Sequence, residues 1–380
     1  MLSFFRSILL AFLLGQLTVY AQTGTDREIA GLMEEYKAVG LSVAVVRDGK
    51  VVYTQAYGKK KREQGQDLKS DDLFRIASIS KSFTATAMMQ LVEAGKVKLT
   101  DDVSDLIGFR VRHPDYPQTV ITLKMILSHT SSLNDSQGYF TLDAIDPATN
   151  PDAAKCYNKY EPGKGYQYCN LNFNIAGTIV ERVSGVRFDE YVRRNVLQPL
   201  GLYGGYCVDS LDAGRLATLY EYNAETDTFS PQPNAYHPRR EELRTYNYGR
   251  STPVFSPTGG MKISAPDLAA YMNMHAHYGK LGGKRIISKK SARLMQTPVE
   301  NAKGYGLALT RMDQLIPGQS LVGHTGSAYG LFSIMTFNPE KKWGIVAITN
   351  GCKPVYTNDR NEFLARVVNV LYKGYVEGKK

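Results

Sequence analysis

Strand signals stand at both ends of this 380-residue chain and are nearly absent from its middle, and that separation limits the fold more than any other feature. Leu41 to Val46 and Val51 to Tyr57 are β-rich runs around Asp48-Gly49, a dipeptide suited to a two-residue hairpin turn. The segment before them, Asp26 to Val39, has helical spacing at Ile29, Leu32, Met33 and Tyr36. A helix from Ser78 through Met88 and Leu91 stops at Gly95. Strands resume at Tyr305 to Thr310, Ser320 to Gly323, Leu331 to Asn338 and Trp343 to Thr349, short runs joined by compact turns such as Asn338-Pro339. That pattern predicts an antiparallel meander. An amphipathic helix, Asn361 to Tyr372, follows. Between the two strand regions, helical patches at Leu123 to Leu127, Ile175 to Val183 and Phe188 to Val196 alternate with loops rich in Pro, Gly, Tyr, Asn and Asp; a helix from Ser264 through Leu268, Tyr271 and Met272 leads back to the strands. The expected fold class is therefore α+β: an antiparallel β-sheet flanked by helices, with an inserted mainly helical subdomain. One catalytic domain over 22–380 would comprise an α/β part at about 22–105 and 255–375 and a helical insertion at about 106–254. A cleft between the two parts is the natural ligand site.

Residues 1–21 read as a cleavable export signal. Arg6 supplies the positive start, Ser7 to Leu14 with Leu17 the apolar core, and Val19-Tyr20-Ala21 the cleavage site. The core is too short for a transmembrane anchor and contains no cysteine for lipid attachment, so a periplasmic or secreted location is expected. The net charge of +10 is dispersed except at Lys59-Lys60-Lys61-Arg62 and Lys379-Lys380, which read as solvated clusters at a turn and a terminus. No basic stripe or recognisable module points to nucleic acid. Cysteines at 156, 169, 207 and 352 form an even set, which an oxidising compartment allows to pair in three ways. The nearest two, Cys156 and Cys169, would close a loop. No two cysteines have metal-site spacing, and His275 and His277, two apart on a helix, point away from each other.

The chemistry lies in three short motifs. Ser78-Ile79-Ser80-Lys81 puts a hydroxyl and an amine one helical turn apart, within hydrogen-bond reach. Burial lowers a lysine pKa, and a neutral Lys81 could take the proton of Ser78. Tyr168-Cys169-Asn170 offers a phenol able to pass a proton and an amide able to hold a carbonyl. His324-Thr325-Gly326 sits at the end of an expected strand, where backbone can lie antiparallel to an acyl substrate and glycine permits close approach.

In this order the motifs resemble S-x-x-K, Y-x-N and K-T-G or H-x-G of the serine β-lactamase and penicillin-binding protein superfamily, in the class C branch with its D-Ala-D-Ala carboxypeptidase, D-aminopeptidase and esterase relatives. Val45 to Tyr53, Leu127 to Leu133, Pro199 to Leu202 and Thr258 to Met261 also resemble family segments. The resemblance implies the β-lactamase/transpeptidase-like fold and acyl transfer through an ester on Ser78, with Lys81 and Tyr168 sharing general-base duty. It implies an oxyanion hole from the backbone N–H groups of Ser78 and Ser327, with Asn170 orienting the substrate and His324, Thr325 and Gly326 facing its carboxylate or acyl tail. The partner is a small-molecule or peptide acyl substrate; no metal or other cofactor is implied, and His129 takes a structural role. Three positions depart from the family: histidine replaces lysine at 324, Ser132 stands where glycine is usual, and Cys169 replaces a small residue. Tyrosines at 139, 157, 160, 166, 203, 206, 246 and 248 crowd the expected cleft mouth, either as an amphipathic pocket for an aryl substrate or as ordinary loop packing. A hydrolase of esters, D-peptides or β-lactams is the favoured reading. An acyltransferase using an alcohol or amine acceptor, and a non-catalytic envelope protein that binds peptidoglycan-like ligands, are its rivals.

Overall fold

The computed structural model describes residues 24–378. A helix over residues 24–35 (α1) leads into the hairpin of β1 (Gly40–Arg47) and β2 (Lys50–Lys61). The hairpin turns on Asp48 and Gly49, both left-handed at φ 51° and 79°, a conformation glycine adopts freely and aspartate tolerates. After β3 (Gln66–Asp67) and β4 (Phe74–Arg75) comes α2 (Ser80–Glu93), then α3 (Val103–Ile107), α4 (Leu123–Leu127), α5 (Asn170–Ser184) and α6 (Phe188–Val192). Next are β5 (Gly204–Gly205), the ribbon β6 (Tyr220–Asn223) with β7 (Thr228–Pro231), and β8 (Lys262–Ile263). The helix Ala265–Ala276 follows, capped by the Ser264 hydroxyl accepting the Asp267 N–H. A small ribbon, β9 (Lys280–Leu281) with β10 (Lys284–Arg285), precedes β11 (Thr310–Arg311) and the meander β12 (Val322–Ala328), β13 (Leu331–Asn338) and β14 (Trp343–Gly351). The helix Glu362–Tyr375 closes the described chain.

The strands from both ends join one seven-stranded antiparallel sheet in the order β11-β12-β13-β14-β1-β2-β3. β1 pairs with β14 through Val43 opposite Ala347, which unites the two ends of the chain. Alternate side chains leave opposite faces of a strand. Leu41, Val43, Val45, Ile345 and Ala347 pack with Ile29 and Leu32 of α1 and with Phe363, Val367 and Leu371. Ala44, Val46, Met335, Phe337, Val346 and Ile348 face Leu268 and Met272, and beyond them α2. Helices cover both faces, which is why β1, β13 and β14 are mostly apolar and buried along nearly their whole length. Each buried Leu, Ile, Val or Phe contributes about 2 kcal/mol of transfer free energy, so this three-layer core is a rigid base for the site.

Several expectations change. The strand foreseen at Tyr305 to Thr310 is reduced to β11 and an isolated bridge, because Lys303, Gly304 and Ala308 adopt positive φ and break an extended run. Ser320 to Gly323 becomes Val322–Ala328, so His324-Thr325-Gly326 lies inside the strand rather than at its end. The β6–β7 ribbon and a small sheet of β4, β8 and β5 were not foreseen, since two- and four-residue strands carry too little alternation to read. The Lys59–Arg62 cluster is not merely solvated: Lys60 is buried and pairs with Asp72 at 2.9 Å. All four cysteines are free thiols, so the Cys156–Cys169 bridge is not formed. Cys156 donates instead to the Ala144 carbonyl at 3.1 Å and Cys169 to Asp135 at 3.2 Å. The export signal and Lys379-Lys380 lie outside the described residues. Among the described residues no helix is long and apolar enough to cross a membrane.

Candidate active site

The turn that carries Ser78 is held from both sides. Phe74 and Arg75 pair with Ile263 and Lys262 of β8, and the Ile76 N–H donates to the Met261 carbonyl at 2.9 Å. Ala77 then takes φ 49°, rare for a residue with a Cβ, and a 3-10 turn over Ala77–Ile79 runs into α2. Ser80 fastens the bend: its hydroxyl donates to the Ala77 carbonyl at 2.6 Å and accepts the Met261 N–H at 3.0 Å. Its neighbours Ile76, Ala77, Ile79, Ser80 and Lys81 are buried, whereas Ser78 is partly exposed. The chain thus presents one hydroxyl to the outside.

Lys81 is fully buried, with its Nζ 3.1 Å from Ser78 Oγ, 2.9 Å from Asn170 Oδ1 and 3.0 Å from the Thr258 carbonyl. Burial pushes its pKa down to about 7, against the pull of Asp135 and Cys169. Near neutral pH much of it is therefore an uncharged amine, with two hydrogens and one lone pair. Asn170 Oδ1 and the Thr258 carbonyl can only accept, and they take both hydrogens. The lone pair is left for the proton of Ser78.

Asp135 fixes Asn170. Its carboxylate accepts the N–H groups of Asn170 and Leu171 at 2.9 and 3.0 Å, the first turn of α5, and the Asn170 amide nitrogen at 2.9 Å. A carboxylate at a helix N-terminus is favoured by the orphan donors and the dipole there. The contact also fixes which end of the Asn170 amide is which: the nitrogen faces Asp135 and the oxygen accepts from Lys81 and from the Thr258 hydroxyl at 2.9 Å.

Tyr168 lies beside the pair, its ring centroid 4.8 Å from Lys81 Nζ, and lines the same cleft as Ser78. Burial raises its pKa above the usual 10, and the Ser78 hydroxyl only partly opposes this. Lys81 sits over the ring face and does not stabilise a phenolate, so Tyr168 is a phenol, a donor and relay rather than a resting base. His129 holds the Tyr168 loop on both flanks: its carbonyl accepts the Gln167 N–H and its Nδ1 accepts the Cys169 N–H, both at 3.1 Å. Burial keeps that imidazole neutral.

β12 forms the opposite wall. A Cβ on Gly326 would come within 2.3 Å of the Ile76 carbonyl and 2.4 Å of Ser333 Oγ, so only glycine lets this strand close onto the Ser78 turn. Thr325 and Ser327 are exposed while His324 and Gly326 are buried; Ser327 lines the cleft at Ser78, whereas Thr325 lines a neighbouring hollow with Phe332, Tyr356 and Asn361. On its outer side β12 pairs with β11 only at Val322 and Gly323, so no β11 partner covers its edge from His324 to Ala328. An unpaired edge beside a nucleophile accepts an extended substrate. His324 does not carry charge: burial and the nearby Lys81 push its pKa down to about 3. Its Nδ1 is 2.6 Å from the Thr325 carbonyl, which can only accept, so Nδ1 bears the hydrogen and Nε2 accepts from Tyr305 at 2.9 Å. It therefore cannot pair with a substrate carboxylate as a lysine would.

The Beta-lactamase family model matches residues 25–369. The chain belongs to the β-lactamase family. Penicillin-binding protein 4 of Amycolatopsis lactamdurans is 31% identical over 339 residues, covering 84% of this chain and 83% of that one. The structure of the octameric penicillin-binding protein homologue from Pyrococcus abyssi superposes with a TM-score of 0.73 at 27% identity, over 92% of this chain and 77% of that one. EstCE1, described as a hydrolase with promiscuous acyltransferase activity, shares the fold with a TM-score of 0.72 at 22% identity, over 93% of this chain and all of that one. The fold is that of the serine β-lactamase and penicillin-binding proteins, and this family is one of serine hydrolases.

In this family member the cleft at Ser78 holds about 390 Å³. Of the eight tyrosines expected at its mouth only Tyr139 lines it; Tyr206, for example, is buried and donates to the Ser80 carbonyl. Tyr168, Phe140 and Tyr329 supply the other aromatic surface, with Ser78, Asn170 and Ser327 among the polar lining. Ser132, the departure from glycine, adopts φ 66°, and its hydroxyl donates to the Asn158 and Tyr160 carbonyls at 3.1 and 2.7 Å. The residues sequence reasoning missed are Asp135, Tyr305 and the Thr258 carbonyl. Thr258 stood in a quoted family segment, the one signal that could have found it.

Proposed function

We propose that the protein is an exported serine hydrolase that works through an acyl-enzyme on Ser78. The observation that carries this is the saturation of Lys81: two obligate acceptors occupy a neutral amine, and its lone pair faces Ser78. Ser78 Oγ attacks the substrate carbonyl as its proton moves to Lys81 Nζ, and the carbonyl oxygen becomes an oxyanion between the backbone N–H groups of Ser78 and Ser327. Each such donor lowers the barrier by roughly 3 kcal/mol. The tetrahedral intermediate collapses as Tyr168 gives its proton to the leaving group and is reprotonated from Lys81 through a water in the cleft. Water then attacks the ester, its proton passes back through the same pair, and Ser78 is released. Asn170 holds Lys81 and offers its second amide hydrogen to the substrate. The edge of β12 at Thr325 and Gly326 aligns the acyl chain.

The substrate is a small ester, a D-peptide or a β-lactam, and the working unit is the whole of residues 22–380. The leader motif at residues 1–21 supports export to the periplasm or beyond. Treatment with a fluorophosphonate and with a fluorescent penicillin, beside Ser78→Ala, tests this reading. Ser78-dependent labelling with turnover of p-nitrophenyl esters is expected. Labelling absent from the wild type, or retained in Ser78→Ala, overturns it and leaves a ligand-binding role. Added alcohols that yield transesterified product would move the assignment to acyltransferase.

A further inference from the structure

The cleft at Ser78 does not end at its aromatic wall. Arg75, Phe140, Ser256 and Tyr329 also line an adjoining lobe of about 710 Å³, whose far side is the loop that follows the helix Arg240–Thr245. Three arginines and one glutamate face this lobe. Arg239 and Glu242 neutralise each other at 2.9 Å. Arg75 has no acidic partner among the described residues: its Nε donates to the Gly259 carbonyl at 2.9 Å, its Nη1 to the Ala235 carbonyl at 3.2 Å, and its guanidinium lies 4.8 Å above the Tyr329 ring. Those contacts orient the group without discharging it, and N–H donors remain for a ligand. Arg250 is exposed and likewise has no acidic partner among the described residues. Glu181, the carboxylate behind Tyr246, is buried and does not line the lobe; it accepts from Tyr246 and from the Gly249 and Phe188 N–H groups. His324, the position where a cation would be sought, is neutral and buried. Positive charge in this site thus lies in the lobe and not at the third motif.

We propose that the lobe binds a carboxylate that the substrate carries several bonds from the reacting carbonyl, with Arg250 and Arg75 as its partners and Phe140 and Tyr329 flanking the linker. Guanidinium forks suit a carboxylate in two-point contact. This inference rests on the acyl-transfer reading of Ser78 and narrows its substrates to anionic acyl donors.

Two donor pairs test it and tell which side of the scissile bond enters the lobe. Mono-p-nitrophenyl adipate against its methyl ester carries the charge on the acyl arm. The butyrate ester of 3-(4-hydroxyphenyl)propanoate against its methyl ester carries it on the leaving group. In one pair the carboxylate is expected to raise kcat/KM about tenfold, through KM, with the advantage lost in Arg250→Gln, kept in Arg250→Lys and reversed in Arg250→Glu. No advantage in either pair overturns the inference, as does an Arg250→Gln that slows charged and neutral donors alike. Calorimetry of the same donors on Ser78→Ala separates the two claims. Tenfold tighter binding of the acid, lost when Arg250→Gln is added, upholds the lobe even if the wild type turns nothing over; equal binding of acid and methyl ester removes the lobe even if Ser78 proves reactive.

Discussion

Replacing Lys81 by methionine changes how stability responds to pH, by an amount the structure sets. The buried Nζ falls from the usual 10.5 to about 7, whereas the unfolded chain keeps its lysine proton until about pH 10.5. Between those values the unfolded state binds more protons than the folded one, so stability rises with pH. Integrated from about pH 6.5 to about pH 9.5, the difference amounts to about 3 kcal/mol in favour of the alkaline condition. Methionine has no proton to lose and forfeits this gain. It also leaves Asn170 Oδ1 and the Thr258 carbonyl without their lysine donor, at a cost that does not vary with pH and therefore drops out of the comparison. Lys262, whose burial also takes it to about 7, contributes its slope to both proteins and cancels in the same way. Urea unfolding of wild type and Lys81→Met at the two pH values measures the quantity directly. The wild type is expected to gain about 3 kcal/mol more than the variant. An equal gain in both would mean that Lys81 holds its proton in the folded state, and the argument for a neutral amine would fall.

Two further substitutions probe the supports of the site. Asp135→Asn leaves the first turn of α5 without its carboxylate and weakens the hold on Asn170; about 2 kcal/mol of stability and more than tenfold in kcat are expected to go, read by thermal unfolding and ester hydrolysis. Gly326→Ala forces a Cβ against the Ile76 carbonyl and pushes β12 off the Ser78 turn, so acylation is expected to fall by about a hundredfold while the protein stays folded, as labelling rate and circular dichroism together would record.

Ser78 and Lys81 were legible because one helical turn is a local rule that survives any tertiary context. The sheet was legible for a related reason: Leu331–Asn338 and Leu41–Val46 sit between two helical layers and are mostly apolar on both faces. Asp135 was not legible. Its partners Asn170 and Leu171 meet it only after the chain has folded back, and no spacing announces that contact. The charge of His324 was hidden for the same reason, since Tyr305 and the Thr325 carbonyl decide its tautomer and burial decides its protonation. The four cysteines misled because parity speaks to what an oxidising compartment allows, whereas pairing needs the two sulfurs to meet; Cys169 is turned toward Asp135 and Cys156 toward Ala144. Tyr168 was found by motif, but that it rests as a phenol was not legible, because burial and the place of Lys81 over its ring face decide that.

The central claim is that a neutral Lys81 takes the proton of Ser78, and the pH dependence of acylation tests it most directly. The second-order rate of fluorophosphonate labelling at Ser78 should rise about tenfold per pH unit below about 7, level off above it, and vanish with its limb in Lys81→Met. A rate that keeps climbing to about pH 10, or a limb near 7 that survives in Lys81→Met, would contradict it.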